Sequence, residues 1–316
     1  GIISSGIDIL LPESVTCKGV PLTIGPGLIN AARRKIEIRN LAFKYCPVPF
    51  QTVSANLFGM ILFDDKRSGQ WLISPSPCEI AVPAKKIRIT GVLSGGGTMD
   101  EDNVMVDELS MTFPEDGKLW LRPFSFSKNK DLEVIADIES LPLEMLKSLL
   151  PGKVKVRGKV SGNIYFSDKT GKLAGEIMVP TGDVELPAAD EKWKYWNVAP
   201  LFVSLETDIL DSPVSRHRME AEIRAEDTWG TFALQARLGE QDWWMGEGML
   251  VLTPDKTRDL ELDTITPIFK TGDGGVRLPL RLEGGLEIPK VSVNIGQEVG
   301  RALVKYPGRL IQSITP

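Results

Sequence analysis

Residues 154 to 166, VKVRGKVSGNIYF, alternate without a break. Val154, Val156, Gly158, Val160, Gly162, Ile164 and Phe166 form one row, and Lys155, Arg157, Lys159, Ser161, Asn163 and Tyr165 form the other. Period-two alternation is the mark of a β-strand with one apolar and one wet face. At ~3.3 Å per residue the run spans roughly 43 Å, about twice an ordinary strand. Any fold for this chain has to accommodate that length and the two glycines in the apolar row.

The same texture recurs along the chain. After the turn SDKTG, KLAGEIMVP returns with Leu173, Gly175, Ile177 and Val179 on one face, a hairpin with the first strand. RHRMEAEIRAE puts Met219, Ala221, Ile223 and Ala225 on one face, and TFALQARL does the same with Phe232, Leu234, Ala236 and Leu238. WWMGEGMLVL (243–252), VRLPLRLEGGLEI (276–288) and VSVNI continue the series. In the N-terminal half, strands are expected at 34–43, 51–63, 70–74, 86–93, 104–113, 118–122 and 132–138. ISPSPC (73–78) and LSGGGTMDED (93–102) read as breaks between them.

Three segments carry helical spacing instead. GPGLINAARR (25–34) predicts a short helix. SLPLEMLKSLLPG (140–152) places Leu143, Leu146, Leu149 and Leu150 at helical intervals, with Ser140 as a cap and Pro-Gly as a stop. The tail GQEVGRALVKYPGRLIQS predicts an amphipathic helix with Val299, Leu303, Leu310 and Ile311 as its stripe, kinked at Pro307. The helix at 140 suggests two halves, 1–139 and 140–316, which can also be one continuous domain.

The bulk numbers exclude several classes. The chain has 316 residues, 42% hydrophobic and 25% charged, with net charge −5 and no basic block. Nucleic acid is therefore not an expected partner. Cys17, Cys46 and Cys78 have no metal or redox spacing, and their odd number leaves at least one thiol free; one bridge is possible in an oxidising compartment. The longest apolar run, LFGMILF at 57–63, is too short for a membrane-spanning helix.

No catalytic constellation emerges. His217 is the only histidine and sits in the charged stretch SRHRM, with no GxSxG motif in the chain. MDEDNVMVDE (99–108) begins like a calcium loop, but Val104 and Val106 occupy positions that need ligands or a turn glycine, so it reads as a turn into a strand. Asp64 and Asp65 read as a hairpin tip. Gly95–Gly97 lacks the spacing of a phosphate cradle. No metal, cofactor or enzymatic activity is expected.

The tryptophans remain. Trp193 and Trp196 cluster in KWKYWNV, and Trp243 and Trp244 are neighbours, so in a strand one of the latter pair faces outward. They are candidates for core packing or for contact with a partner or a membrane surface.

Three groups of segments together resemble the AsmA/TamB-like superfamily of the bacterial envelope. INAARRKIEIRNLAF is similar to its opening helix and strand. IESLPLEMLKSLL, VKVRGKVSGNIYF and KLAGEIMVP are similar to its recurrent helix, strand and return strand. LPLRLEGGLEIPKVSVNIG with the tail is similar to its closing unit. Length and order of parts most resemble the members that serve type II secretion as protein N. The resemblance implies a mainly β fold, an elongated, twisted antiparallel sheet curled into a groove or open barrel, with a few short helices. It implies a non-enzymatic periplasmic protein anchored at the inner membrane through a segment not in this chain.

On that reading the long strand is a rung of a hydrophobic trough, and Gly158 and Gly162 let the sheet coil or a neighbour approach. The lining comprises Val154, Val156, Val160, Ile164, Phe166, Leu173, Ile177, Val179, Met219, Ile223, Phe232 and Leu234. Its expected occupants are phospholipid or lipid A; the same residues also suit a closed core. Trp193, Trp196, Trp243, Trp244, Leu303 and Leu310 are the candidates for contact with a membrane or with secretion-system or envelope proteins. The alternatives are a purely structural assembly subunit, an outer-membrane β-barrel and a β-rich enzyme.

Overall fold

The computed structural model describes residues 6–13, 15–16, 22–48, 51–64, 68–82, 87–127, 131–145, 155–167, 169–185, 195–198, 200–208, 218–238, 243–262, 269–285 and 290–293. The fold is mainly β, an antiparallel sheet that is not closed into a barrel, with few helices. Contacts divide the chain into two compact units, Gly1–Gly152 with Asn163–Lys169, and Lys153–Gly162 with Thr170–Pro316.

The first unit contains β1 (Ile7–Leu11), β2 (Val15–Thr16), β3 (Leu22–Ala32), β4 (Lys35–Val48), β5 (Gln51–Phe63), β6 (Gly69–Val82), β7 (Ile87–Met99), β8 (Asn103–Thr112), β9 (Lys118–Leu121), β10 (Phe124–Ser127) and β11 (Glu133–Pro142). Strands β3 to β8 pair in sequence order as an antiparallel meander. β1 and β2 run along β3, and β9 and β10 run along β8. β11 pairs with β9.

Several segments read as breaks or helices are strand here, each for a physical reason. The segment 25–34 is not helical: it belongs mostly to β3, whose backbone pairs with β1 and β2 on one side and β4 on the other, overriding its local preference. Gly95–Gly97 lies inside β7 rather than in a loop. Gly97 stands opposite Trp71, and a Cβ on it would sit 2.0 Å from the Met105 carbonyl oxygen and 3.0 Å from the indole. The turn comes at Asp100, whose carboxylate accepts from the Asp102 and Asn103 N–H groups at 2.9 and 2.8 Å. The predicted helix at 140–152 also gives way: β11 runs through Pro142, with Leu141 buried, and a single 3-10 turn follows at 143–145. The rest of that helix lies outside the described residues, as does the predicted C-terminal helix.

ISPSPC likewise lies within β6. Prolines lack the N–H that a ladder needs, so they survive in a sheet at bulges. The register of β6 steps between Ile73 and Ser76 against β7, and between Cys78 and Ser74 against β5. Ser76 is fully buried there. Its Oγ accepts from the Phe58 N–H at 2.9 Å and donates to the Ser74 carbonyl at 2.6 Å. The hydroxyl thus takes the place of a missing ladder bond. Matching register steps occur at Arg39 in β4 and at Asp107 in β8. Bulges bend the strand and increase local twist.

Strand β12 (Lys155–Ser167) runs through the point where the units divide. The second unit then contains β13 (Lys172–Glu185), β14 (Tyr195–Asn197), β15 (Leu201–Asp208), β16 (Arg218–Asp227), β17 (Gly230–Leu238), β18 (Trp243–Leu252), the helix α1 (Pro254–Asp259), β19 (Val276–Gly285) and β20 (Lys290–Val293). β13 pairs with β14 and β15, and β15 to β20 pair in order. Gly162 has φ +157°, and a Cβ on it would sit 2.1 Å from the Glu176 carbonyl oxygen, so β12 and β13 approach as only glycine allows.

Candidate apolar binding face

Residues directly opposite one another on neighbouring strands share a face. In the first unit this rule assembles a stripe from Ile9 through Ile29, Ile38, Gly59, Ile73, Gly95, Leu109 and Leu121 to Ala136. It crosses nine strands, and only its two glycines are buried. Ile9 is 44% exposed, and the remaining members are half-buried. A neighbouring row runs Ala31, Ile36, Ile61, Trp71, Gly97, Val106 and Phe124. Together these rows make a contiguous, mainly apolar face that is only partly covered. Ile164 and Phe166, also in this unit, are half-buried.

In the second unit the equivalent stripe runs Ile177, Val203, Ile223, Leu234, Gly248 and Leu280. Beside it run Val179, Leu201, Ala225, Phe232, Leu250 and Leu278. The predicted lining residues Leu173, Ile177, Val179, Ile223, Phe232 and Leu234 therefore share one face; Met219 joins them by register. Ile177, Ile223 and Phe232 are half-buried, whereas Val160, Val179 and Leu234 are buried. Val156 is half-buried, and Val154 lies outside the described residues.

One end of this second face is closed. Ala225, Trp229, Leu252 and Leu260 form a buried cluster with Trp196, Leu201 and Phe232 against it. Trp196 meets Trp229 edge-to-face, 5.5 Å between ring centres and 81° between planes. The Trp229 indole N–H donates to the Asn197 carbonyl, and Lys256 lies over the Trp196 ring at 5.1 Å. Trp196 thus packs against the cluster while staying half-buried. The helix α1, whose Thr253 cap accepts from the Lys256 N–H at 3.3 Å, leads into Leu260 and completes the plug. The reading from the sequence missed this plug, although Thr-Pro-Asp is a legible helix start.

Trp243 is 49% exposed, while Trp244 packs near Leu234, Ala236 and Leu282. Trp193, Leu303 and Leu310 lie outside the described residues, as do His217 and Cys17. Cys46 and Cys78 are both free. Burial pushes the Cys78 thiol above its ordinary range, which suits a packed and unreactive side chain. Among the described residues no group of acidic, histidine or cysteine side chains has a metal-binding arrangement, and no helix is long and apolar enough to cross a membrane.

No family model matches the chain, and neither does any curated protein or solved structure.

Proposed function

We propose that this chain is a non-enzymatic envelope protein that holds acyl chains on the apolar face of its sheet. The observation that carries the reading is the half-exposed stripe of the first unit, in which Ile9, Ile29 and Ile38 lie opposite one another on β1, β3 and β4, and Ile73 on β6 follows across Gly59 of β5. Aliphatic rows left open in this way gain about 25 cal/mol for each Å² of apolar surface that a hydrocarbon chain covers. The expected ligands are phospholipid or lipid A, and the setting is the periplasm at the inner membrane. The work is lipid movement between membranes or service to a type II secretion machine. The closed plug around Trp196 and Trp229 gives the second unit's face a dry end against which a chain can stop.

A second reading is favoured by the strands at the ends of the pairing order. β1 and β20 each pair on one side among the described residues, and Ile7 and Val291 on them are 71% and 55% exposed. Edges of this kind suit assembly by strand addition. This describes a scaffold subunit with envelope proteins as partners.

Native mass spectrometry with lipid extraction decides between them, run on the purified chain and on an Ile73→Asp variant. Co-purified phospholipid or lipid A that disappears in the variant, with circular dichroism unchanged, supports the lipid reading. Lipid-free wild-type protein refutes it and leaves the scaffold reading.

A further inference from the structure

The first unit carries apolar side chains on its other face as well. LFGMILF, residues 57–63, is apolar apart from one glycine, so alternate members must point away from the stripe described above. Phe58 and Leu62 are 37% and 42% exposed there, and Leu72 and Met105 are 47% and 42% exposed. Pairing puts Leu62, Gln70, Thr98, Met105 and Ser125 opposite one another on β5, β6, β7, β8 and β10. At about 4.8 Å per strand step this row is roughly 19 Å long. All five residues line a single cleft of about 650 Å³, bounded at the strand ends by the turns at Asp64 and Asp100. Sites that hold small ligands span about 300–1,000 Å³.

The chemistry of the row is mixed and specific. Among the described residues, the side chains of Gln70, Thr98 and Ser125 have no hydrogen-bond partner, so an amide and two hydroxyls are open to a ligand. They can both donate and accept, as a sugar hydroxyl can. Leu62 and Met105 stand between and beside them, and Leu72 extends the apolar surface along β6; methionine adapts its shape to a chain laid over it. Asp100 lines the rim with its carboxylate fixed by backbone N–H groups, and no basic side chain lines the cleft among the described residues. The carboxylates of Asp64 and Asp100 on the rim disfavour an anionic head group.

We propose that this cleft is a second binding site, distinct from the acyl-chain face, for a neutral amphiphile. A polyhydroxyl head of the kind carried by glycolipids spans Gln70, Thr98 and Ser125 with Met105 beneath it, and its alkyl chain runs over Leu62 and Leu72.

The test is calorimetric titration of the whole chain with dodecyl maltoside below its micelle concentration, beside free maltose and dodecyl sulfate. Saturable binding of the maltoside, stronger than either control, is expected. Loss of two hydrogen bonds in a Gln70→Ala/Thr98→Val variant should weaken it roughly tenfold or more. Both positions are exposed, and circular dichroism checks the fold. A Met105→Glu variant tests the row independently by inserting an anion beside Thr98, and it too should weaken binding. Ile73→Asp, on the opposite face, should leave maltoside affinity unchanged whatever it does to co-purified lipid. Equal or tighter binding of dodecyl sulfate overturns the proposal. So does an unaffected Gln70→Ala/Thr98→Val variant, or loss of maltoside binding in Ile73→Asp.

Discussion

Replacing Ser76 by alanine tests whether a single hydroxyl holds the bulge of β6. Ser76 is fully buried, and its Oγ accepts from the Phe58 N–H at 2.9 Å and donates to the Ser74 carbonyl at 2.6 Å. Alanine removes both bonds and leaves a backbone donor and acceptor without partners. A net loss of about 1 kcal/mol per bond gives about 2 kcal/mol, and stranding a buried group can raise it. With a urea slope of about 3 kcal/mol/M, the midpoint should fall by roughly 0.7 M. Ser74→Ala is the matched control, because only the Ser74 carbonyl takes part in these bonds; it should cost under about 0.5 kcal/mol. Amide exchange at Phe58 should speed up in Ser76→Ala and not in the control. An unchanged midpoint with unchanged Phe58 protection would refute the reasoning, as would equal losses in the two variants.

Three further outcomes follow from other contacts. Gly162→Val places a branched side chain where a Cβ already meets the Glu176 carbonyl oxygen at 2.1 Å, at a φ of +157°; thermal melts should show a loss of about 3 kcal/mol or more. Trp229→Phe removes the indole donor to the Asn197 carbonyl and the edge contact with Trp196; equilibrium unfolding should register about 1–3 kcal/mol. Arg122 holds the Asp137 carboxyl below the usual carboxylate range through hydrogen bonds of 2.7 and 2.9 Å, with its charge adding to the effect. A depressed folded-state pKa stabilises above the unfolded value of about 3.9 and is lost as pH falls through the folded one. Arg122→Ala should therefore destabilise the protein at pH 7 and have little further effect near pH 2, read from urea midpoints at the two pH values.

The sequence was most legible where one strand's alternation was enough by itself. The run at 154–166 became β12 within a residue at each end, and 51–63 became β5. Cross-strand neighbours were not legible, because alternation assigns a residue to a face but not to a partner. The stripe through Ile29, Ile38 and Ile73 exists only once registers are known. Bulges were misread for a related reason. Pro75, Pro77 and Gly95–Gly97 are turn-forming residues locally, and a buried serine and a facing indole keep them in strands. The outer-face cleft was hidden in LFGMILF, which as a sequence says only that both faces of one strand are apolar. The plug at Trp196 and Trp229 joins residues more than thirty positions apart, beyond any local pattern.

The order of pairing bears on how each unit comes to be folded. From β3 to β8, and again from β15 to β20, every strand hydrogen-bonds to its immediate predecessor and successor. Most of these connections are short, the main exception being the segment 253–275 with α1 between β18 and β19, so the entropy of bringing the ends together stays small at most steps. Low sequence separation between contacts favours rapid formation for a β protein. Either run can therefore grow by adding hairpins to an existing ladder, in the manner of repeat arrays whose elements depend on their nearest neighbours. Local opening should begin at the ends of each run and travel inward. Exchange protection should then fall off strand by strand toward β20, not collapse in a single event.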